Sequence, residues 1–362
     1  MTAHSNEQAL RVLVVLTSDA RRGAEIEGER LARELAGGDM VADAVALARA
    51  ESSAPLDVET LGRSTLALGT LRALRRRVRD VDVVIAFGSR ALPACAIATL
   101  GSRTPFIYRS IGDPSAWAHT GWRRRRTGWL MRRAAVVVAL WPGGEQAIRT
   151  LYGAERTVSI PNARSAEEFH PPEPQQREAA RERLDVKASD RVILWVGSIT
   201  PEKRLGLAID AVALLSDEHL LLVVGDGPLR DELEEEAARA LGGRCRFLGT
   251  LADVRETYWA ADVVLSTSST EGMPGVLIEA GLCGVPVVAT SVGAVTWMFD
   301  RGQMGTTCGV DESARRIGSA IVETIEADAD EVPSTSDVPA LWGWVSAVAA
   351  WEEVVLQARS RW

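Results

Sequence analysis

One pattern limits what this chain can fold into: an alternation that runs, stops and starts again. Short β-branched and apolar runs of strand length alternate with longer stretches of helical character. Alternation of this kind predicts βαβ units and parallel sheets. In the first half, strands are predicted over 10–17, 81–87, 104–108, 134–139 and 157–160, with helices such as 24–35 and 91–100 between them. Pro171, Pro172 and Pro174 then fall in a polar stretch reaching Arg177, which reads as a hinge or linker. A short charged helix is predicted over 178–184, after which the alternation resumes. Strands are predicted over 191–196, 220–224, 244–248, 262–265 and 286–289, and helices over 205–215, 229–240 and 313–325. The Trp-, Ala- and Val-rich segment 341–358 reads as a final helix. At 362 residues the chain is also long enough for two ordinary cores. The expected architecture is α/β with two doubly wound domains, 1–175 and 176–340, and a terminal helix within 341–362. Sheets of this type bind ligands outside the carboxyl ends of their strands.

Composition removes several classes of function. Apolar residues make up 46% and charged residues 25%, as in a globular protein, and no apolar run reaches the length of a bilayer span. The apolar stretch from Leu10 to Leu16 lacks the flanks of a secretory signal and reads as a first strand. Cys95, Cys245, Cys283 and Cys308 are widely separated, with no metal-ligand spacing, which suits a reduced, cytoplasmic protein. A net charge of −8 argues against a general nucleic-acid binder. Of 41 basic residues, only Lys187 and Lys203 are lysine, so each lysine draws attention.

The stretch S-T-E-G-M-P-G-V-L-I-E-A-G-L-C-G-V-P-V-V-A-T, 269–290, is the richest in chemistry. It predicts a turn, a helix beginning near Pro274, and a buried strand. Amides around Gly275 and Val276 at that helix start suit a diphosphate. A carboxylate aimed at a diphosphate would repel it, so Glu271 and Glu279 are expected to bind hydroxyls on either side. As a lone stretch this could equally be a helix start with two surface glutamates. In V-G-S-I-T-P-E-K-R, 196–204, a strand ends at Gly197 and Lys203 follows a loop. Lysine is a compact charge suited to phosphate oxygens, and a departing nucleoside diphosphate needs such a cation when no metal is present. The bland alternative is a solvated lysine. The V-V-G-D-G-P-L turn at 223–229 is weak by itself. Arg21-Arg22-Gly23-Ala24-Glu25 after the first strand is as consistent with a plain tight turn as with a phosphate or acceptor site.

Together these stretches resemble glycosyltransferase family 4, the retaining group of GT-B enzymes. The resemblance covers most of the second predicted domain: the paired glutamates Glu271 and Glu279, the loop from Gly197 to Lys203, the V-G-D-G-P turn with Gly225, F-L-G at 247–249 and A-D-V at 261–263. In the first domain only Gly23-Ala24-Glu25 and Ile160-Pro161-Asn162 followed by Phe169 match. The resemblance implies a GT-B fold, two domains facing a cleft, with the terminal helix crossing back to the first. It implies metal-independent transfer, with retention, of a hexose-type sugar from a nucleotide-diphosphate-sugar co-substrate to a hydroxyl acceptor: a glycan, a lipid-linked sugar or a small molecule. No cofactor or metal is implied. Glu271 would contact the donor sugar, Glu279 the ribose hydroxyls, and Lys203 the leaving diphosphate. The backbone from Gly272 and Met273 through Pro274 and Gly275 to Val276 would line sugar and phosphate, and backbone near Phe247 and Leu248 would meet the base.

The chain departs from the family in ways that matter. Family members place an arginine after the glycine of the lysine loop, sharing the diphosphate; here it is Ser198. Arg21 or Arg22 is the expected partial substitute. The family's histidine after a first-domain strand is also missing: the predicted strand ending at Tyr108 runs into Arg109-Ser110-Ile111-Gly112-Asp113, and Arg109 or Asp113 is expected to take part of that work. His119 reads as a surface residue. The loop 291–294 keeps one of two usual glycines. Ser198 and the missing histidine keep open a non-catalytic nucleotide-sugar-binding partner subunit; a GT-B sugar-nucleotide epimerase is a separate alternative, against which the paired glutamates favour transfer. A metal-dependent reading of Asp80-Val81-Asp82 is disfavoured because the pair precedes a strand. Finally, Trp117, Trp122, Trp129 and Trp141 flank Arg123–Arg126. That mixture suits peripheral contact with the inner face of a membrane or an anionic acceptor; the competing expectation is a surface helix whose tryptophans pack inward.

Overall fold

The computed structural model describes residues 9–37, 39–50, 55–116, 121–327 and 341–361. The chain forms two compact units, Met1–Asn162 with Trp344–Trp362, and Ala163–Gly343. Each is built on one parallel sheet.

The first sheet contains β1 (Leu10–Ser18), β2 (Met40–Ala48), β3 (Glu59–Thr60), β4 (Val83–Phe87), β5 (Phe106–Arg109), β6 (Val136–Ala139) and β7 (Thr157–Ser159), in the order β3-β2-β1-β4-β5-β6-β7. Its central strands are almost wholly apolar because both faces are covered. One face carries helices α2 (Leu68–Val78) and α3 (Ala91–Ala98), with α4 (Gly121–Arg132) and α5 (Pro142–Tyr152) alongside. The other carries α1 (Gly23–Leu35) and the C-terminal helix Trp344–Ser360, which buries Trp351, Val354, Val355 and Ala358 against β1, β4 and β5 residues. The terminal helix therefore returns to the first sheet.

The second sheet contains β8 (Arg191–Val196), β9 (His219–Val224), β10 (Cys245–Gly249), β11 (Val263–Ser266), β12 (Val287–Thr290) and β13 (Gly305–Cys308), in the order β10-β9-β8-β11-β12-β13. It is flanked by α6 (Pro174–Arg183), α7 (Leu205–Ala213), α8 (Arg230–Leu241), α9 (Arg255–Ala260), α10 (Gly275–Leu282), α11 (Val295–Phe299) and α12 (Ala314–Glu326). In both sheets the strand order reverses at one place, between β1 and β4 and between β8 and β11. The loops leaving those strand pairs diverge and leave a crevice, the switch point where open α/β sheets bind ligands.

Three sequence expectations change. Strand β2 was not expected, because its segment M-V-A-D-A-V-A-L-A is alanine-rich; it forms by parallel pairing with β1 from Leu10↔Met40 to Ser18↔Ala48. The short β13, G-T-T-C, likewise exists by pairing with β12. The proline-rich stretch is not a linker. Pro174 opens α6, Glu173 and Gln176 form a capping box, and Arg177 donates to Trp259 O, Ala261 O and Asp262. The division between units accordingly falls ahead of it, at Asn162/Ala163, rather than at 175/176.

Candidate functional site

The loops at the β8/β11 switch point bring together the residues singled out in the second unit. After β8 the chain runs through Gly197 and exposed Ser198 into a short 3-10 turn, Pro201–Lys203. Arg204 ends that turn in the left-handed region, φ 51°. This points its guanidinium at the carbonyls of Thr267 (2.7 Å) and Val310 (2.8 Å). Arg204 thus ties the lysine loop to the loop after β11, leaving Lys203 beside the crevice. Thr267 Oγ1 donates to Lys203 O at 3.0 Å and Ser269 N to Glu202 O at 2.8 Å, closing the seam.

The turn after β9 packs on this loop backbone to backbone. Ile199 N donates to Asp226 O at 2.9 Å and Gly197 N to Val224 O at 3.0 Å. A Cβ on Gly225 would stand 1.9 Å from Gly197 O, and Gly225 itself has φ +131°. Only glycine fits on both counts. A second lock holds the glutamate loop: Ala294 N donates to Gly272 O at 2.8 Å, and a Cβ on Gly293 would lie 2.2 Å from Glu271 O. The one glycine kept in that loop is the one the contact requires.

Within this frame Lys203 Nζ meets Glu271 Oε1 at 2.5 Å, and Ser268 Oγ donates to the same oxygen at 2.7 Å. Lys203 is half-buried and paired, whereas Lys187 is simply exposed. Helix α10 starts at Gly275 with Pro274 as its N-cap, one residue later than a proline in the first turn would place it. Its opening amides, Gly275 and Val276, lie at the rim; Gly272, Met273 and Pro274 are buried behind them. Glu279, one turn in, has both oxygens engaged. Tyr258 Oη donates to Oε2 at 2.7 Å and Arg164 Nε to Oε1 at 2.6 Å. Burial, with the Glu279 carboxylate beside it, raises the Tyr258 hydroxyl well above its ordinary range, so it stays a donor. Phe247 and Leu248 lie half-buried on β10, the edge strand.

Tyr258, Ser268 and Arg164 were missed by sequence reasoning. Tyr258 sits just before Ala261-Asp262-Val263, and Arg164 just after Pro161-Asn162. Neither residue type announces a carboxylate partner so far away in sequence.

The first-unit candidates fare differently. Arg109 is 1% exposed. It donates to Ala139 O (2.9 Å), Ile160 O (2.5 Å) and Asn162 Oδ1 (2.9 Å), and lies over the Trp351 ring. Burial lowers its pKa to about 10. It is a staple between β5, the crossover segment and the terminal helix. Asp113 is half-exposed after β5, its Oδ1 accepting from Ser115 N. Arg21, Arg22 and Gly23 are exposed at the β1/α1 turn, and a Cβ on Gly23 would meet nothing within 4 Å. Asp82 accepts from Arg11 N at 2.9 Å, at the amino end of β4, away from the ligand end of the sheet. His119 and Trp117 lie outside the described residues.

Helix α4 corrects the inward-packing expectation. Trp122 is 64% and Trp129 53% exposed. Arg123 and Arg126 lie over the Trp122 ring and Arg133 over Trp129. Trp141, by contrast, is buried. Among the described residues no helix is long and apolar enough to cross a membrane.

The chain is similar to known proteins in fold and, over part of its length, in sequence. The chain is similar to the crystal structure of Anabaena HepE in complex with UDP and glucose, with TM-score 0.83 and 23% identity, covering 96% of this chain and 99% of that one. The fold is therefore GT-B. Among curated proteins it resembles the lipopolysaccharide core biosynthesis glycosyltransferase LpsE of Rhizobium meliloti, 35% identical over 126 residues, 34% of this chain and 37% of LpsE. It also resembles the 2-deoxystreptamine glucosyltransferase of Streptomyces kanamyceticus, 34% identical over 176 residues, 46% of this chain and 45% of that enzyme. The chain spans less than half the length of these two relatives. Residues 190–327 match the family described as Glycosyl transferases group 1, a segment wholly inside the second unit that contains Lys203, Tyr258, Glu271 and Glu279 but not Arg164.

Proposed function

We propose that the protein is a retaining, metal-independent glycosyltransferase that moves a hexose-type sugar from a nucleotide-diphosphate-sugar to a hydroxyl acceptor. The observation that carries this reading is the convergence of Lys203, Glu271 and the α10 amides at the β8/β11 switch point, inside the segment that matches the family. Loss of the diphosphate leaves negative charge on its oxygens. A lysine ammonium and preset helix amides oppose that charge without reorganising. Lys203 has three N–H donors, so it can keep Glu271 and still reach a phosphate oxygen. Glu271, held by Lys203 and Ser268, would accept from donor-sugar hydroxyls, and Glu279 from the ribose. The acceptor then attacks the face the diphosphate leaves. Asp113 remains the first-unit candidate for contact with the donor sugar, and Arg109 serves as a positioning residue.

A thermal-shift panel of UDP, GDP, ADP and TDP with their sugars tests the reading. One nucleotide should raise the melting temperature, and Lys203→Ala should abolish that shift. No response to any member contradicts the reading. Transfer should survive EDTA, and the product's anomeric signal should keep the donor's configuration.

The exposed tryptophans of α4 favour peripheral contact with an anionic membrane surface, where aromatic rings and arginines share the interface. Replacing Arg123–Arg126 by glutamine should abolish pelleting with phosphatidylglycerol vesicles. Unchanged pelleting removes this part of the proposal.

A further inference from the structure

Glu279 lies inside the segment that matches the family, but part of what holds its carboxylate comes from outside that segment. The stretch 163–171 leads from the start of the second unit toward α6. At its beginning, Arg164 N donates to Trp342 O at 2.9 Å, and a backbone bridge pairs Arg164 with Gly343. At its end, Trp259 Nε1 donates to His170 O at 3.1 Å, and a Cβ on Gly284 would touch Pro171. The stretch is thus fastened at both ends against buried parts of the second unit. Between those anchors it reaches both donors of the Glu279 carboxylate. Arg164 Nε donates to Glu279 Oε1 at 2.6 Å, while Nη1 donates to Ala163 O at 2.8 Å. The guanidinium is therefore bonded to the stretch's own backbone as well as to α10. Tyr258 Oη donates to Glu279 Oε2 at 2.7 Å, and the Phe169 ring meets the Tyr258 ring edge-on, with centroids 6.0 Å apart. One short stretch supplies one donor and packs the other.

The packing around this pair is specific. A Cβ on Gly275 would stand 2.0 Å from Arg164 Nη2, so the missing side chain at the helix start is what admits the guanidinium. A helix N-terminus is a poor place for a cation unless an anion joins it, and Glu279 is that anion. The Glu279 side chain is 12% exposed. Without Arg164 its charge would lose its ion-pair partner in a largely buried place. A loose glutamate must give up rotamer freedom when a ligand engages it. Here bonds to both oxygens orient the carboxylate before a ligand arrives, which lowers the cost of binding. A carboxylate has about four acceptor sites, so the bonds from Arg164 and Tyr258 are compatible with further bonds from ribose hydroxyls.

We propose that Arg164 is the positioning residue of the ribose subsite: by fixing the Glu279 carboxylate against the stretch 163–171, it sets the preference for ribose over 2′-deoxyribose. The proposal rests on the donor-site reading above, in which Glu279 accepts from ribose hydroxyls. Calorimetric titration tests it on the full-length wild type, Arg164→Gln, Arg164→Lys, Glu279→Gln and the double variant Arg164→Gln with Glu279→Gln. The ligands are UDP and 2′-deoxy-UDP, with GDP and 2′-deoxy-GDP as a parallel set. For whichever base binds, the wild type should prefer the ribonucleotide by on the order of 10- to 100-fold, the worth of a hydrogen bond to a charged group. Arg164→Gln should cut that preference below about threefold by weakening the ribonucleotide, while affinity for the 2′-deoxy ligand changes by less than about threefold. Added to Glu279→Gln, the same change should leave the preference where it is, because both act through one carboxylate. Arg164→Lys keeps the charge but loses the fork, so it should retain only part of the preference. Should Arg164→Gln fail to fold, Arg164→Lys decides: a reduced preference with 2′-deoxy affinity held supports the proposal, and a wild-type preference overturns it. A wild-type preference in folded Arg164→Gln overturns it, since Arg164 would then serve the fold alone. Equal weakening of both ligands also overturns it. A wild type that binds the diphosphate without preferring ribose overturns it too, while the diphosphate site stands. Failure of the wild type to bind any diphosphate is a different result; it removes the donor-site reading itself and this proposal with it.

Discussion

The two sheets share a strand order and each has a switch point, yet the crevices are built differently. At β8/β11, backbone meets backbone: Gly225 against Gly197, Gly293 against Glu271, with Arg204 tying the lysine loop to the next. At β1/β4 the turn after β1 is open, Gly23 starting α1 with empty space where its side chain would be, while Gly88 after β4 is held at φ +89° against Ile111. The same residue type therefore reports different things. A glycine forced by close packing marks a loop whose shape is fixed before a ligand arrives. A glycine in open space marks a loop whose use depends on what binds it. On the proposed reading, fixed loops would suit the shared part of the reaction, the nucleotide diphosphate, and open ones the part that varies, the acceptor.

The basic residues draw the same contrast, and they give the largest expected effect. In the first unit Arg109 is a buried staple, so Arg109→Met should cost about 2–4 kcal/mol of stability in urea unfolding, because buried carbonyl oxygens lose their donor. Affinity of the folded protein for nucleoside diphosphate should stay the same; a selective loss of affinity with intact stability would instead make Arg109 a binding residue. Next comes a matched pair of glycines. Gly225→Ala should destabilise by about 2–3 kcal/mol through overlap and left-handed strain, whereas Gly23→Ala should stay within about 0.5 kcal/mol. If both are silent, the contrast between forced and open glycines is lost. A smaller change is expected from Tyr258→Phe, which removes one donor from Glu279: nucleoside affinity should drop about three- to tenfold, read by calorimetry. Least of all should the thiols respond. Burial pushes Cys245 and Cys283 up to about 12, so iodoacetamide at neutral pH should label neither until the protein unfolds.

Much of the fold was legible because buried parallel strands are written as apolar runs; β1, β4, β8, β9 and β12 all fall where those runs predict them. Strand β2 was not, because alanines carry no strand signal and pairing with β1 makes the strand. The boundary was misread for a related reason: prolines and charges at 171–177 resemble a linker, while Arg177 and the Glu173 cap turn them into a docked helix. The second-unit site was readable as a motif because its residues are grouped within two loops. The Arg164–Glu279 pair was not, since it joins positions far apart in the chain, and an isolated arginine among 41 basic residues carries no mark. The tryptophans of α4 show the limit of composition, which places Trp beside Arg without saying which way either faces.

On the proposed reading, the second unit holds the donor's nucleotide diphosphate between the loops after β8 and β11. Hydrogen–deuterium exchange of the full-length protein, with and without the nucleoside diphosphate that shifts its melting temperature, tests this most directly. Protection should appear in the segments 197–204, 224–229 and 268–279, and should vanish in Lys203→Ala. Protection confined to the first unit, or a Lys203→Ala pattern identical to the wild type, would contradict it.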